Sequence, residues 1–381
     1  MTDLLLSQIK LGDESPSGTD EYVVNLGPQH PATHGVLRLV VKLDGESVLE
    51  TIPVLGYLHR SIEKICENRT FPQGITYTDR VDYASAMTVN LAWSLASERL
   101  LAIEAPVRAQ WLRMIFTELQ RIASHLLWFG AFGGDLGAFT PFLYGLRERE
   151  RILDLFEMTC GQRLTYNYIR IGGVMIDVLP EFVPKCRAFL DYFEPKIDEY
   201  EKLMTYNPIF LERTKGVGII PAETAVNWGI CGPSLRGSGV TCDVRKQTPY
   251  LFYDQVKWEE PLEYGADCWS RYKVRMNELR QCVSIIRQSL DRLEPGPVEA
   301  KMPPILKAPK DSEVYFRTES SRGEMGIYLV GDGTAKPWKS KFRTASFSNL
   351  AILDKITRGW KVADIMAVLG SLDMIVPEVD R

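Results

Sequence analysis

The sequence predicts an α+β fold built from a small N-terminal antiparallel sheet, a central bundle of long helices and a strand-rich C-terminal lobe. Three observations carry this. Residues 21–26 and 36–43 alternate in polarity as strands do, long 3.6-residue periodicities fill the middle of the chain, and alternation returns after Pro295. The chain has 381 residues, 45% hydrophobic and 25% charged, with 45 Lys and Arg against 49 Asp and Glu. Disorder, collagen-like repeats and a disulfide scaffold are excluded by this composition. The net charge of −4 offers no clustered basic footprint for nucleic acid, so nucleic-acid binding is disfavoured. The length admits two or three domains or one large core.

Taken in order, residues 1–20 mix a short apolar patch with Asp, Glu, Ser and Gly and lack an export signal, so a flexible arm is expected. Residues 21–55 form the sheet, with Gly45-Glu46 at the hairpin turn before a strand at 47–53. A helical core is expected over 56–294, with helices near 80–101, 106–128, 145–165, 180–204 and 265–293, and a Gly-rich insert at 216–253. Residues 295–381 open on the linker MPPILKAPK and form a C-terminal α+β lobe, with strands at 314–318, 326–330 and 340–343 followed by short helices.

Residues 126–146 carry no formal charge except Asp135 and are long enough to cross a bilayer as a helix. Five glycines and Pro141 argue against a continuous helix, and an Asp at the centre is costly in lipid. The expectation is a helix end, an apolar Gly-rich loop carrying Asp135, and a new helix start.

The densest polar group is GPQHPATHG, residues 27–35, which holds two of the four histidines, His30 and His34. Its prolines and glycines make a turn between strands, so a helical HxxxH metal site is not expected, and no metal is assigned. Such histidines can equally serve a site or hydrogen-bond the backbone of the turn. In TYTDRVDY, residues 76–83, Asp79 and Tyr83 lie four apart with Arg80 beside them at the mouth of a helix, a pattern that acids at a helix N-terminus also produce. The seven cysteines form no CxxC pair and read as reduced, buried apolar fillers. There is no Walker loop and no GxGxxG after a strand. The run Arg147-Glu-Arg-Glu-Arg151 reads as a solvated helix face.

Together, GPQHPATHGVLRLVVKLDGE, LGYLHRSIEK, TYTDRVDY, ELQRIASHLLW, DLGAFTPF, RERERILDLFE, NYIRIGGV, LRGSGVTCDVRK and the closing EVDR resemble the quinone-site subunit family of respiratory complex I. This family takes in the D-type subunits of bacterial NADH-quinone oxidoreductase (NDH-1) and the H-type subunits of its photosynthetic relatives. The resemblance spans residues 22–381. It implies a [NiFe]-hydrogenase large-subunit-like fold and a subunit of a proton-translocating NADH or ferredoxin quinone oxidoreductase. No cofactor is then bound by this chain alone; quinone is the substrate, and a [4Fe-4S] cluster sits in the adjacent subunit. Implied partners are that B-type iron–sulfur subunit, the C-type and I-type subunits of the hydrophilic arm, and a membrane-arm subunit of H type at the quinone entry. The implied location is peripheral, on the cytoplasmic face of the cell or thylakoid membrane, without a transmembrane helix.

By position, the resemblance makes His34 and Tyr83 the two headgroup donors and Asp135 the partner of His34. His30 and Asp79 line the quinone site, and Arg60 and Arg80 lie near the partner's cluster. Quinone reduction takes two electrons and two protons at oxygens on opposite sides of a flat ring, so a donor is needed at each end. A His with an ordinary pKa of ~6.5 and a Tyr of ~10 suit those two ends. The same fold resembles the [NiFe]-hydrogenase large subunit, but the four nickel-binding cysteine positions here read Asp82, Ser85, Ile375 and Glu378. A structural adaptor is the third reading. Thr165 stands where many family members carry a His, and the span 295–313 is shorter than in many relatives.

Overall fold

The computed structural model describes residues 21–30 and 35–381. The expected arm at 1–20 and the candidate His34 lie outside the described residues.

Strands β1 (Glu21–Leu26), β2 (Arg38–Asp44) and β3 (Ser47–Val54) form an antiparallel sheet in the order β1-β2-β3. Asp44 pairs with Ser47 across the two-residue turn Gly45-Glu46. Gly45 has φ +59, a conformation that side chains resist and that a tight hairpin demands. The buried face of β2, with Leu37, Leu39, Val41 and Leu43, joins one core cluster with Leu350, Leu353, Ile365, Val368 and Leu372 from the far end of the chain.

The helical body begins with α1 (Ile62–Glu67), α2 (Phe71–Thr78) and a 3-10 turn at Tyr83–Ser85, which leads into α3 (Ala86–Leu101). Then come α4 (Val107–Asp135) and α5 (Thr140–Cys160), followed by the two-residue strands β4 (Ile169–Arg170) and β5 (Gly173–Val174). Helix α6 (Phe182–Tyr200) runs into a π turn at Glu201–Thr205. Four short helices follow: α7 (Pro208–Thr214), α8 (Ala222–Asn227), α9 (Pro233–Arg236) and α10 (Val244–Gln247). The last three fall within the expected Gly-rich insert. Helix α11 (Cys268–Asp291) returns along α4.

The C-terminal sheet is β6 (Lys310–Ser320), β7 (Gly323–Asp332) and β8 (Pro337–Arg343), antiparallel in that order. It packs on α3, where Trp93 stacks on Phe342 at 5.8 Å and donates its indole N–H to the Phe71 carbonyl at 3.0 Å. The polypeptide closes with α12 (Ala345–Leu350), α13 (Leu353–Thr357), α14 (Val362–Leu372) and α15 (Val376–Asp380). The α+β expectation is thereby met.

Helix α4 is buried on nearly all sides from Trp111 to Gly133, as a helix at the centre of a bundle must be. It carries charge inward, where each charge is paired. Arg113 holds Glu98, while Arg121 and Arg245 hold Glu118 at 3.3 and 3.1 Å. His125 Nε2 lies 2.9 Å from Glu278, which also binds Arg236 and Arg245 at 3.0 and 2.9 Å. Such buried pairs fix which helix faces which; their net stabilisation is small because desolvation offsets attraction.

Two expectations are corrected here. Helix α4 runs through Gly130, Gly133 and Gly134 to Asp135, so Asp135 is a helix-terminal residue and the loop is only 136–139. The glycines do not break the helix; two of them let α5 approach. A Cβ on Gly130 would stand 2.8 Å from Phe142 Cα, and one on Gly133 would stand 2.9 Å from Pro141. From the other side, a Cβ on Gly145 would meet the Leu126 carbonyl at 2.5 Å. The run 147–151 is also not wholly solvated. Glu148 is fully buried and accepts hydrogen bonds from Tyr192 at 2.8 Å and Tyr200 at 2.6 Å.

This crossing yields a paired test. Gly145→Val overpacks it and is expected to lower stability by about 1–3 kcal/mol, whereas Gly134→Ala, with open space around it, is expected to raise stability by about 0.5–1 kcal/mol. Urea midpoints of the two purified variants check both signs.

Candidate functional site

Tyr83 starts the 3-10 turn and is 37% exposed, at the edge of a buried bundle. Its position is set by Asp82, whose Oδ1 accepts from the backbone N–H of Ala84 and Ser85, both at 3.1 Å. Asp82 Oδ2 accepts from Arg322 at 2.7 Å, and Arg322 in turn lies 3.4 Å from Asp373, the residue that follows α14. Arg275 approaches the other Asp373 oxygen at 3.7 Å and lies over the Trp128 ring at 4.6 Å. Partial burial raises the Tyr83 phenol above its ordinary value; Arg322 pulls the other way, and Asp82 and Asp373 add to the rise. Tyr83 therefore stays a protonated donor at neutral pH.

The expected helix beginning at Arg80 is corrected: α2 ends at Thr78, residues 79–82 form a turn, and α3 begins at Ala86. Asp79 and Tyr83 consequently do not share a helix face. The Asp79 side chain is fully buried, and neither carboxylate oxygen meets hydrogen-bond geometry with a donor among the described residues. Burial pushes its acid up to about 6, with Asn90, Arg80 and the Asn167 amide pulling weakly the other way.

Arg60 and Arg80 are brought together, with Arg60 Nη2 donating to the Arg80 carbonyl at 2.7 Å while both side chains reach solvent. The 55–60 loop that carries Arg60 is pinned by Asp380. Its carboxylate accepts from the N–H of Gly56 at 2.9 Å and of Leu58 at 2.7 Å, and its carbonyl lies 2.8 Å from His59 Nδ1. His30 is exposed and bridges to Gly35 across the turn between β1 and β2. Gly35 rests on Val376, where an added Cβ would stand 3.4 Å from that side chain. Asp135 is half-buried at the end of α4, with Oδ2 3.2 Å from where a Cβ on Gly370 would stand.

Four of the candidate positions thus meet one stretch of the polypeptide, 370–380: Asp135 at Gly370, the Tyr83 turn through Arg322 at Asp373, the His30 turn at Val376, and the Arg60 loop at Asp380; the contacts of Asp79 and Arg80 lie elsewhere. Sequence reasoning missed Arg322, Asp373 and Asp380 as organisers, and it missed Arg149, whose charge acts on the Tyr83 phenol. Their partners lie up to 324 positions away, and no local pattern announces them.

The family described as respiratory-chain NADH dehydrogenase, 49 Kd subunit, matches residues 135–312 and 305–381. This protein belongs to that family. Over 362 residues it is 48% identical to the D-type subunit of NADH-quinone oxidoreductase from Desulforamulus reducens, an alignment covering 95% of this chain and 99% of that protein. The H-type subunit of NAD(P)H-quinone oxidoreductase from Thermosynechococcus vestitus is 49% identical over 388 residues, covering 95% and 98%. Its chloroplastic counterpart from Chaetosphaeridium globosum is 48% identical over 387 residues, covering 95% and 99%. The H-type alignments are longer for the same share of this chain, so those relatives carry residues absent here. Within this family, the positions at which a nickel enzyme would place thiolates are occupied by the buried acids Asp82 and Glu378 with Ser85 and Ile375, and the hydrogenase alternative is not favoured.

Asp79 gives a pH test with a defined sign. Its folded-state acid is raised, so its contribution to stability is complete below the ordinary carboxylate range and is lost as pH climbs through about 6. Between pH 4 and 8 the wild type is expected to lose roughly 2–3 kcal/mol at this position, and Asp79→Asn to remove that loss. Urea titrations across the pH series check it.

Proposed function

We propose that this protein is the quinone-site subunit of a proton-translocating quinone oxidoreductase of the complex I type, fed by NADH or ferredoxin. The observation that carries this reading is a half-exposed tyrosine on a turn locked by a buried ion pair, in a family whose relatives are named quinone oxidoreductase subunits. In the complex, the quinone headgroup lies between the His30–His34 turn and Tyr83. Tyr83 donates to one oxygen and His34 to the other, with Asp135 orienting the imidazole and favouring its protonated form. His30 and Asp79 flank the site. No redox cofactor is held by this chain itself; electrons come from a [4Fe-4S] cluster in a neighbouring B-type subunit.

The solvent-facing guanidiniums of Arg60 and Arg80, held near each other by the bond from Arg60 to the Arg80 carbonyl, suit a neighbour that gains negative charge on reduction. C-type and I-type subunits and a membrane subunit of H type complete the surroundings. No described helix is long and apolar enough to cross a membrane, which suits a peripheral place on the cytoplasmic face of the cell or thylakoid membrane.

The chemistry follows from the donors. Two-electron reduction leaves a quinone dianion unless protons arrive, and a buried dianion is prohibitive. A tyrosine held protonated and a histidine, a side chain whose ordinary pKa of ~6.5 lies near neutrality, supply one each. In the membrane-bound complex, Tyr83→Phe is expected to cut quinone reduction by about 100-fold while the set of assembled subunits and the cluster's paramagnetic signal persist. A normal rate in that variant would remove the headgroup assignment and favour a purely structural adaptor.

A further inference from the structure

The charge around Arg322 does not balance if every acid is ionised. Asp82 and Asp373 pair with Arg322 and Arg275, and Glu378 adds a third carboxylate in the field of Asp82 and Arg322, three acids against two guanidiniums, with all five side chains buried. Glu378 lies on α15 and packs against the start of α12. Its carboxylate accepts from the Ala345 N–H at 3.2 Å and from the Ser346 hydroxyl, which itself accepts from the Ile375 N–H at 3.2 Å. Asp82 is spoken for by two backbone amides and Arg322, and Asp373 lies between Arg322 and Arg275. Among the described residues, no guanidinium comes within salt-bridge distance of Glu378, so it is the acid on which a proton is held at least cost. The charges beyond this group are Arg149 toward Tyr83 and the His125–Glu278 pair behind Arg275.

We propose that Glu378 is the proton store that reloads Tyr83 after each quinone reduction, with Asp82, Arg322 and Asp373 holding the field that keeps the proton in place. This rests on the assignment of Tyr83 as a headgroup donor. When the phenol gives its proton to the quinone oxygen it becomes a tyrosinate. The Glu378 carboxylic acid then loses its proton and the tyrosinate gains it, leaving carboxylate and phenol with no net change in charge. The step runs downhill, because Glu378 is pushed up to about 7 by burial and by Asp82, whereas the Tyr83 phenol is raised above its ordinary value. Arg322 Nε and Asp373 Oδ2 are buried without a hydrogen-bond partner among the described residues, and Arg322 stands in the field of both Glu378 and Tyr83, so these two atoms can offer bonds to a relaying water. The emptied Glu378 is then refilled from solvent before the next turnover.

The test uses the intact membrane-bound complex and its steady-state quinone reduction from pH 5.5 to 8.5. The wild type is expected to fall as pH rises through about 7, where the store empties. Glu378→Gln, which keeps the acceptor for Ala345, is expected to be roughly tenfold slower at pH 6, to lose the break, and to match the wild type at pH 8.5. Glu378→Asp retains an acid and is expected to retain a break.

A wild-type profile in Glu378→Gln overturns the proposal. So does a wild-type complex whose infrared difference spectrum on quinone reduction shows no loss of a protonated carboxyl band, a measurement that needs no variant. Loss of that band which persists in Glu378→Gln also overturns it. If Tyr83→Phe is itself fully active, it is the donor assignment that fails; if Tyr83→Phe is slow and Glu378→Gln is normal, only the store fails.

Discussion

The contact on which the candidate site depends is the ion pair of Arg322 with Asp82, at 2.7 Å, extended to Asp373 at 3.4 Å. From the turn between β6 and β7, Arg322 thereby ties the turn between α2 and α3 to the end of α14. Removing one partner would leave an uncompensated buried charge, which costs far more than the pair contributes when intact. The tie also fixes the 3-10 turn: with Asp82 held at both oxygens, the backbone of Tyr83 has one way to leave the bundle, and its ring is set at the surface rather than in the core. The neighbouring stretch 370–380 repeats this logic at Gly370, Val376 and Asp380 for the other candidate residues.

The site is therefore more a property of one late segment than of the residues proposed to touch substrate. Tyr83, Asp135 and the His30 turn come from separate parts of the first 135 residues. Each is placed by a different kind of contact. An ion pair places the Tyr83 turn, close approach to a helical glycine places Asp135, and a glycine resting on a valine places the His30 turn. Asp82 and Glu378 are both fully buried acids, and burial together with Asp82 raises the Glu378 carboxyl to about 7.

Much of the fold was legible because it is written locally. The N-terminal hairpin followed from alternation around Gly45, and the C-terminal strands from alternation after Pro295. What was misread had a common cause: residues chosen for a partner were taken as signals about their own backbone. Gly130 and Gly133 read as helix breakers but serve the α4–α5 crossing, and Asp135 was placed in a loop as a result. Glu148 read as surface charge but is claimed by two tyrosines from α6. Of the site, the motif residues were visible through resemblance to a family. Arg322 was not, and Asp380, though in the closing EVDR, gave no sign of its role, since their partners lie 240 and 324 positions away and only the folded polypeptide reveals the pairing.

Those separations bear on how the protein is made. The Thr51 N–H bonds the Asp354 carboxylate at 2.9 Å, 303 positions downstream, and the apolar face of β2 is covered by residues from 350 onward. A ribosome adding about 5–20 residues per second needs roughly 15–60 s to reach that cover. Throughout that interval the face with Leu37, Leu39, Val41 and Leu43 lacks the larger part of its cluster, of which, beyond the sheet itself, only Val217, Ile220, Ala225, Ile230, Leu235 and Cys268 are made earlier. Nascent chains of this protein should consequently carry their adhesive surface at the front, and chaperone occupancy along the growing polypeptide should begin soon after β2 emerges and end only when α13 and α14 have been synthesised.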